Sequence, residues 1–89
     1  MIEHDRQQHQ FRLEHQGHSA RLLYALDGST MTITHTQVPE AIAGQGIAAQ
    51  LTRAALEHAR SAGLAVLPQC SYTLSYLRRH PQFQDLVQD

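Results

Sequence analysis

The chain predicts an α/β (α+β) fold built on a mixed sheet, an antiparallel meander followed by strand, loop, helix, strand and a short second helix. Three observations carry that reading. Apolar and polar residues alternate between Phe11 and Val38, two spaced glycines at 44 and 46 run into an amphipathic helical pattern, and a short continuous apolar stretch follows that pattern. A chain of 89 residues has room for one small domain, which buries only about 60–65% of its unfolded surface.

Residues 1–10 are polar and histidine-rich, with too little apolar content to order themselves, so a flexible N-terminal segment is expected there and the domain is placed at 11–89. Phe11 and Leu13 alternate with polar neighbours as a first strand. Gln16-Gly17-His18-Ser19 reads as a turn, and Ala20 to Leu26 as a second strand. Asp27-Gly28 is a hairpin signal. Met31, Ile33 and His35 then alternate with Thr32, Thr34 and Thr36, a β-branched pattern that suits a third strand ending at Pro39. From Ala48 to Ala62, Leu51, Ala55, Ala59 and Ala62 share one helical face, and Gly63 is the expected stop. Leu64 to Pro68 is apolar throughout, as in a strand buried on both faces, and strand, helix, strand in that order implies a parallel crossover. Leu74 and Leu77, with Tyr72 and Tyr76, favour a second helix from Ser71 to Arg79, stopped before Pro81.

Composition excludes several classes of function. Seven arginines and no lysine stand against eight acidic residues, a net charge of −1 and a pI of 6.6, which argues against a nucleic-acid partner. One cysteine forms no internal disulfide. No apolar run approaches the ~20 residues of a membrane span, and the polar start lacks the apolar core of a secretion signal, so a cytoplasmic protein with no membrane partner is expected. Seven histidines raise the question of a metal, but His4, His9, His15 and His18 share no compact helical spacing and no cysteine pair accompanies them, so no metal is expected. G-x-S-x-G and a P-loop ending in Gly-Lys-Ser/Thr are both absent.

The segment from Val38 to Ala49 is the chemically informative one. Gly44 and Gly46 can take backbone angles closed to other residues and let a ligand approach the main chain. The helix behind them offers unpaired N–H groups and the positive end of its dipole, which suits a phosphate or pyrophosphate. The same glycine pair is also what a plain tight turn would use. Cys70, at the predicted start of a helix where the dipole favours thiolate, reads either as a nucleophile or as a small buried hydrophobe. His35 reads either as a general base or as a core histidine. Glu40 is a second candidate base or a solvated loop residue, and packing alone accounts for Tyr72 and Tyr76 one turn apart.

His35-Thr36-Gln37-Val38-Pro39-Glu40, Gly44-Gln45-Gly46-Ile47-Ala48, Cys70-Ser71-Tyr72, Tyr76 and Arg79-His80-Pro81, in that order, resemble the small GNAT-type N-acetyltransferase-like proteins across roughly residues 20–87. The resemblance implies a minimal GNAT-like fold and acetyl-CoA as acyl donor. Val38, Gly44, Gln45, Gly46, Ile47, Ala48 and Ala49 would hold its pantetheine and pyrophosphate, at a strand that splays near Val38. Ala43 stands where the family's pattern places Gln or Arg, which leaves the phosphates to backbone donors. Tyr76 matches the family tyrosine that protonates the leaving CoA thiolate. Transfer to an amine then runs either directly, with His35 or Glu40 taking the amine proton, or through an acetyl thioester on Cys70. The segments that shape the acceptor site in longer members have no counterpart here, so the acceptor, a small amine or a protein lysine, is left open. A monomer and a homodimer both fit, and a non-catalytic acyl-CoA binding protein is the alternative function.

Overall fold

The elements run β1 (Ile2–Asp5), β2 (Gln10–His15), β3 (His18–Asp27), β4 (Thr30–Gln37), a 3-10 turn at Glu40–Ile42, α1 (Ile47–Ala62), β5 (Ala65–Pro68), α2 (Ser71–Arg79) and a second 3-10 segment at Pro81–Leu86. The computed structural model describes residues 2–88, so the outermost positions of the expected start and domain, Met1 and Asp89, lie outside the described residues. The strands form one mixed sheet in the order β1-β2-β3-β4-β5, antiparallel as far as β4 and parallel between β4 and β5. The meander, the crossover through α1 and the second helix thus follow the sequence reading.

One face of the sheet makes the core. Phe11 and Leu13 from β2, Ala20, Leu22 and Tyr24 from β3, Met31 and Ile33 from β4 and Val66 from β5 pack on Leu51, Ala55, Leu56 and Ala59 of α1. Tyr76, Leu77 and Phe83 close its end. The C-terminal 3-10 segment is tied to α1 by Arg60, which donates to both carboxylate oxygens of Asp85 at 3.0 Å and to the Gln82 carbonyl at 2.7 Å.

The structure departs from the sequence reading at three places. Residues Ile2–Asp5, expected to be unordered, form an edge strand in register with β2, Ile2 opposite Leu13 and Asp5 opposite Gln10. A hydropathy count treats His4 as polar, yet its ring lies flat on Phe11 at 4.0 Å, meets the His58 ring edge-on at 4.4 Å, and its Nε2 is 2.6 Å from the Tyr24 hydroxyl. Asp5 Oδ1 accepts the N–H groups of Gln7 and Gln8, which closes the turn into β2. The second departure is β5, expected to be buried on both faces. It is the sheet's edge, and Leu67 is 36% exposed while Val66 is fully buried.

The third departure changes what faces the site. The β3–β4 register slips between Leu23 and Tyr24, so Tyr24 opposes Ile33 while Leu23 opposes His35, and Thr34 is left without a partner. The Thr34 hydroxyl donates to the Leu23 carbonyl at 3.3 Å. A bulge of this kind reverses the alternation beyond it. Thr36, opposite buried Leu22, takes the core side, and His35 joins Leu23 on the outer side.

Candidate functional site

The loop between β4 and α1 has the backbone that its glycines foretell. Gly44 and Gly46 sit at φ +79° and +76°, in the left-handed region, and Gly46 is the residue that caps α1. The first helical hydrogen bond runs from Gln50 N–H to the Gly46 carbonyl at 3.1 Å. The N–H groups of Ile47, Ala48 and Ala49 therefore have no acceptor among the described residues, and no acidic side chain occupies the first turn. A cavity of about 390 Å³, lined by Val38, Ala43, Gly44, Gly46, Ile47, Ala48, Ala49 and Tyr72, lies at this end of the helix. Gln45 does not line it. Its Oε1 is 2.8 Å from His15 Nε2, which fastens the loop to the β2–β3 hairpin.

Beside this cavity β4 and β5 part. Their parallel pairing runs from Thr30 opposite Ala65 to Ile33 opposite Pro68, with a last bond from Gln69 N–H to the Ile33 carbonyl at 3.0 Å. β4 continues to Gln37 while the other chain turns into α2, so the parting starts at the Thr34 bulge and Val38 lies at its far end. One side-chain contact bridges it, the Cys70 thiol donating to Thr36 Oγ1 at 3.6 Å.

Cys70 is half-buried and caps α2. Burial pushes its thiol up, but the Thr73 N–H, the Thr36 hydroxyl, the Tyr72 N–H and the Thr73 hydroxyl together outweigh burial and leave the thiol more acidic than an ordinary cysteine. As a neutral thiol it makes no capping hydrogen bond. The Thr73 hydroxyl, fully buried, likewise has no partner. Both groups thus lack in the thiol state what they would gain in the thiolate state.

The remaining sequence candidates fall elsewhere. His35 is exposed on the outer face of β4, turned there by the bulge, so it is neither a core histidine nor a neighbour of Cys70. Glu40 is exposed at the start of the 3-10 turn. Tyr76 is 3% exposed, its ring stacked on His80 at 3.9 Å, and burial raises its phenol above the ordinary value. It does not line the loop cavity. Tyr72, one turn earlier, lines the loop cavity in its stead. Thr36 and Thr73 are the site residues that sequence reasoning missed. Threonine on a β-strand or in a short helix carries no signal of its own, and the bulge that turns Thr36 inward has no sequence mark.

A second, larger cavity of about 740 Å³ lies on the outer side of the sheet and reaches Thr36 and Val38. Arg12, Arg21, Gln10 and Gln37 form much of its lining. No group of three or more His, Cys, Asp or Glu side chains among the described residues is placed to hold a metal.

Residues 9–86 match the family model for GCN5-related N-acetyl-transferases. The chain is 36% identical over 83 residues to Protein NATD1 of Xenopus tropicalis, covering 90% of this chain and 76% of that one. Protein NATD1 of Homo sapiens is 36% identical over the same share of this chain and 74% of its own. Among solved structures, the NMR solution structure of a GCN5-like protein from Staphylococcus aureus superposes with a TM-score of 0.77 at 26% identity, over 99% of this chain and 87% of that one.

Proposed function

We propose that this chain, which belongs to the GCN5-related N-acetyltransferase family, moves an acetyl group from acetyl-CoA to an amine, with the donor held by the loop between β4 and α1. The observation that carries this reading is the cavity framed by Gly44, Gly46, Val38 and Tyr72, whose lining includes Ile47, Ala48 and Ala49, the three residues whose N–H groups have no acceptor among the described residues, beside the parting of β4 and β5. The pyrophosphate would sit on the Ile47, Ala48 and Ala49 N–H groups, where the α1 dipole adds to them. The apolar walls, Val38, Ala43 and Ala48, suit the pantetheine arm. Backbone groups exposed along β4 from Thr34 to Val38 would then lie along the thioester, and a donor there would stabilise its oxyanion.

Two routes lead from that complex. In direct transfer the neutral amine attacks the thioester carbon, the C–S bond breaks, and the amine proton passes to solvent. In the covalent route the Cys70 thiolate attacks first and CoA leaves as its thiolate. The amine then attacks the Cys70 thioester, the C–S bond breaks to release the Cys70 thiolate again, and loss of the amine proton to solvent completes the amide. The lowered pKa of the Cys70 thiol supports the second route. Tyr72 lies nearer the donor cavity than Tyr76 and is the better candidate to meet the departing thiolate. The outward position of His35 and the burial of Tyr76 favour the other reading, a non-catalytic acyl-CoA binder, over any mechanism that depends on those two.

Mixing the purified protein with acetyl-CoA and mapping the adduct by mass spectrometry separates these readings. The chain has no lysine, so an acetyl group on the peptide holding Cys70 has few competing sites. An adduct there, discharged by added amine with release of free CoA, is the expected result for the covalent route. CoA release with amine but no adduct indicates direct transfer. Saturable binding with neither leaves the binder, and absence of binding removes the proposal.

A further inference from the structure

The outer cavity holds a pair of like charges that nothing in the fold requires. Arg12 of β2 and Arg21 of β3 are directly opposed in the sheet, and Arg21 is in turn opposite Gln37. All three point away from α1, since their neighbours Leu13, Ala20 and Leu22 fill the core. Like charges directly opposite on one sheet face are destabilising. The relief on the page is partial. Arg12 gives Nη2 to Glu3 at 3.1 Å, but its Nε is buried with no partner among the described residues. Arg21 gives Nε to the neutral Gln37 side chain at 2.9 Å, and its two Nη groups have no hydrogen bond among the described residues. The residues lining the cavity include Arg12 and Arg21, with glutamines and no acidic residue among them. The same cavity reaches residue Thr36, whose hydroxyl meets Cys70 on the core side of the strand, and Val38, which also lines the loop cavity.

We propose that this cavity is the acceptor subsite and that its acceptor is a small amine carrying an anionic group, a carboxylate or a phosphate, gripped between Arg12 and Arg21. The volume suits a small molecule, and the fork geometry of guanidinium suits both oxyanions. The amine end of such a molecule then points along β4 toward Thr36 and Cys70. This assignment rests on the transferase reading for its role, though not for its binding chemistry.

The test observes the guanidinium Nε–H resonances of Arg12 and Arg21 by NMR in the full chain while 5-aminopentanoate, O-phosphoethanolamine or pentylamine is added, with acetyl-CoA titrated in parallel. The expected result is a saturable shift of both resonances with at least one of the two anionic amines and none with pentylamine. Which of the two shifts them identifies the anion. Arg21→Gln, an exposed substitution with no core contact, should weaken the binding by about tenfold or more, the worth of a charge-assisted hydrogen bond. Identical response to pentylamine, no response to any probe, or full retention of affinity in Arg21→Gln overturns the anion site. Failure of acetyl-CoA to bind would overturn the transferase reading instead, and the guanidinium shifts report independently of it.

Discussion

Cys70 owes its character to three neighbours, two of them threonines whose hydroxyls can be removed one at a time. Its thiol is held below the ordinary value of 9.0, against burial, by the Thr73 and Tyr72 N–H groups and the Thr36 and Thr73 hydroxyls. The rate of alkylation by iodoacetamide should therefore rise with pH to a midpoint below 9.0, and Thr36→Val should move that midpoint upward. A midpoint at or above the ordinary value in the native protein would contradict the assignment. Because the folded-state value is the lower one, the thiolate adds stability above the unfolded value, and that increment is lost as pH falls through the folded one. Thr73→Val gives a paired result. It removes a buried hydroxyl without a partner, so at neutral pH stability should hold or rise by on the order of 1 kcal/mol, while the alkylation midpoint again moves up. Gly46 is constrained by angle and not by space, since an added Cβ would meet nothing within 4 Å at φ +76°. Gly46→Ala should cost about 1–2 kcal/mol in denaturant unfolding, the price of the left-handed region for an L-residue.

Two elements are held by contacts that hydropathy does not weigh. The edge strand β1 meets α1 through the His4 and His58 rings, stacked among Phe11 and Tyr24. Burial lowers both histidines below 6.5, with His58 and Arg6 adding to the effect at His4, Asp5 opposing it, and Arg6 adding to it at His58. Between the folded values and 6.5 the unfolded chain binds more protons, so stability rises with pH through that window and is lost as pH falls. Urea unfolding followed from about pH 7 to about pH 5 should show a falling midpoint, and His58→Phe should flatten that fall. A profile unchanged by the substitution would count against the histidine contact. In α1 the driving force is ordinary packing. Leu51 is fully buried against the sheet, and Leu51→Ala should cost about 2–5 kcal/mol. The pattern of α1, β4 and α2 was legible because periodicity reports burial directly. β1 was not, since its partners are histidine rings, and neither was the Thr34 bulge, where Met31, Ile33 and His35 keep an unbroken alternation in the sequence while the backbone breaks it.

Across the whole molecule, the side proposed to hold the donor was readable in the sequence and the side proposed to hold the acceptor was not. Gly44, Gly46 and the start of α1 announce themselves because only a few residue types satisfy a left-handed loop ahead of a helix. The acceptor side depends on which strand lies beside which: Arg12 opposite Arg21, Arg21 opposite Gln37, Thr36 turned inward toward Cys70. Register of this kind is a property of the assembled sheet. The same sheet explains why one bulge matters, because it turns Thr36 to the core side, where its hydroxyl meets the thiol, just past the last β4–β5 pair.

The measurement that tests the central claim most directly is a titration of the isotopically labelled protein with acetyl-CoA, followed through its backbone amides. Saturable shifts concentrated on Ile47, Ala48 and Ala49, with Val38 and Tyr72 moving along the same binding curve, are the predicted result. Unmoved amides at the start of α1 with acetyl-CoA in millimolar excess, or shifts confined to other faces of the sheet, would contradict the account.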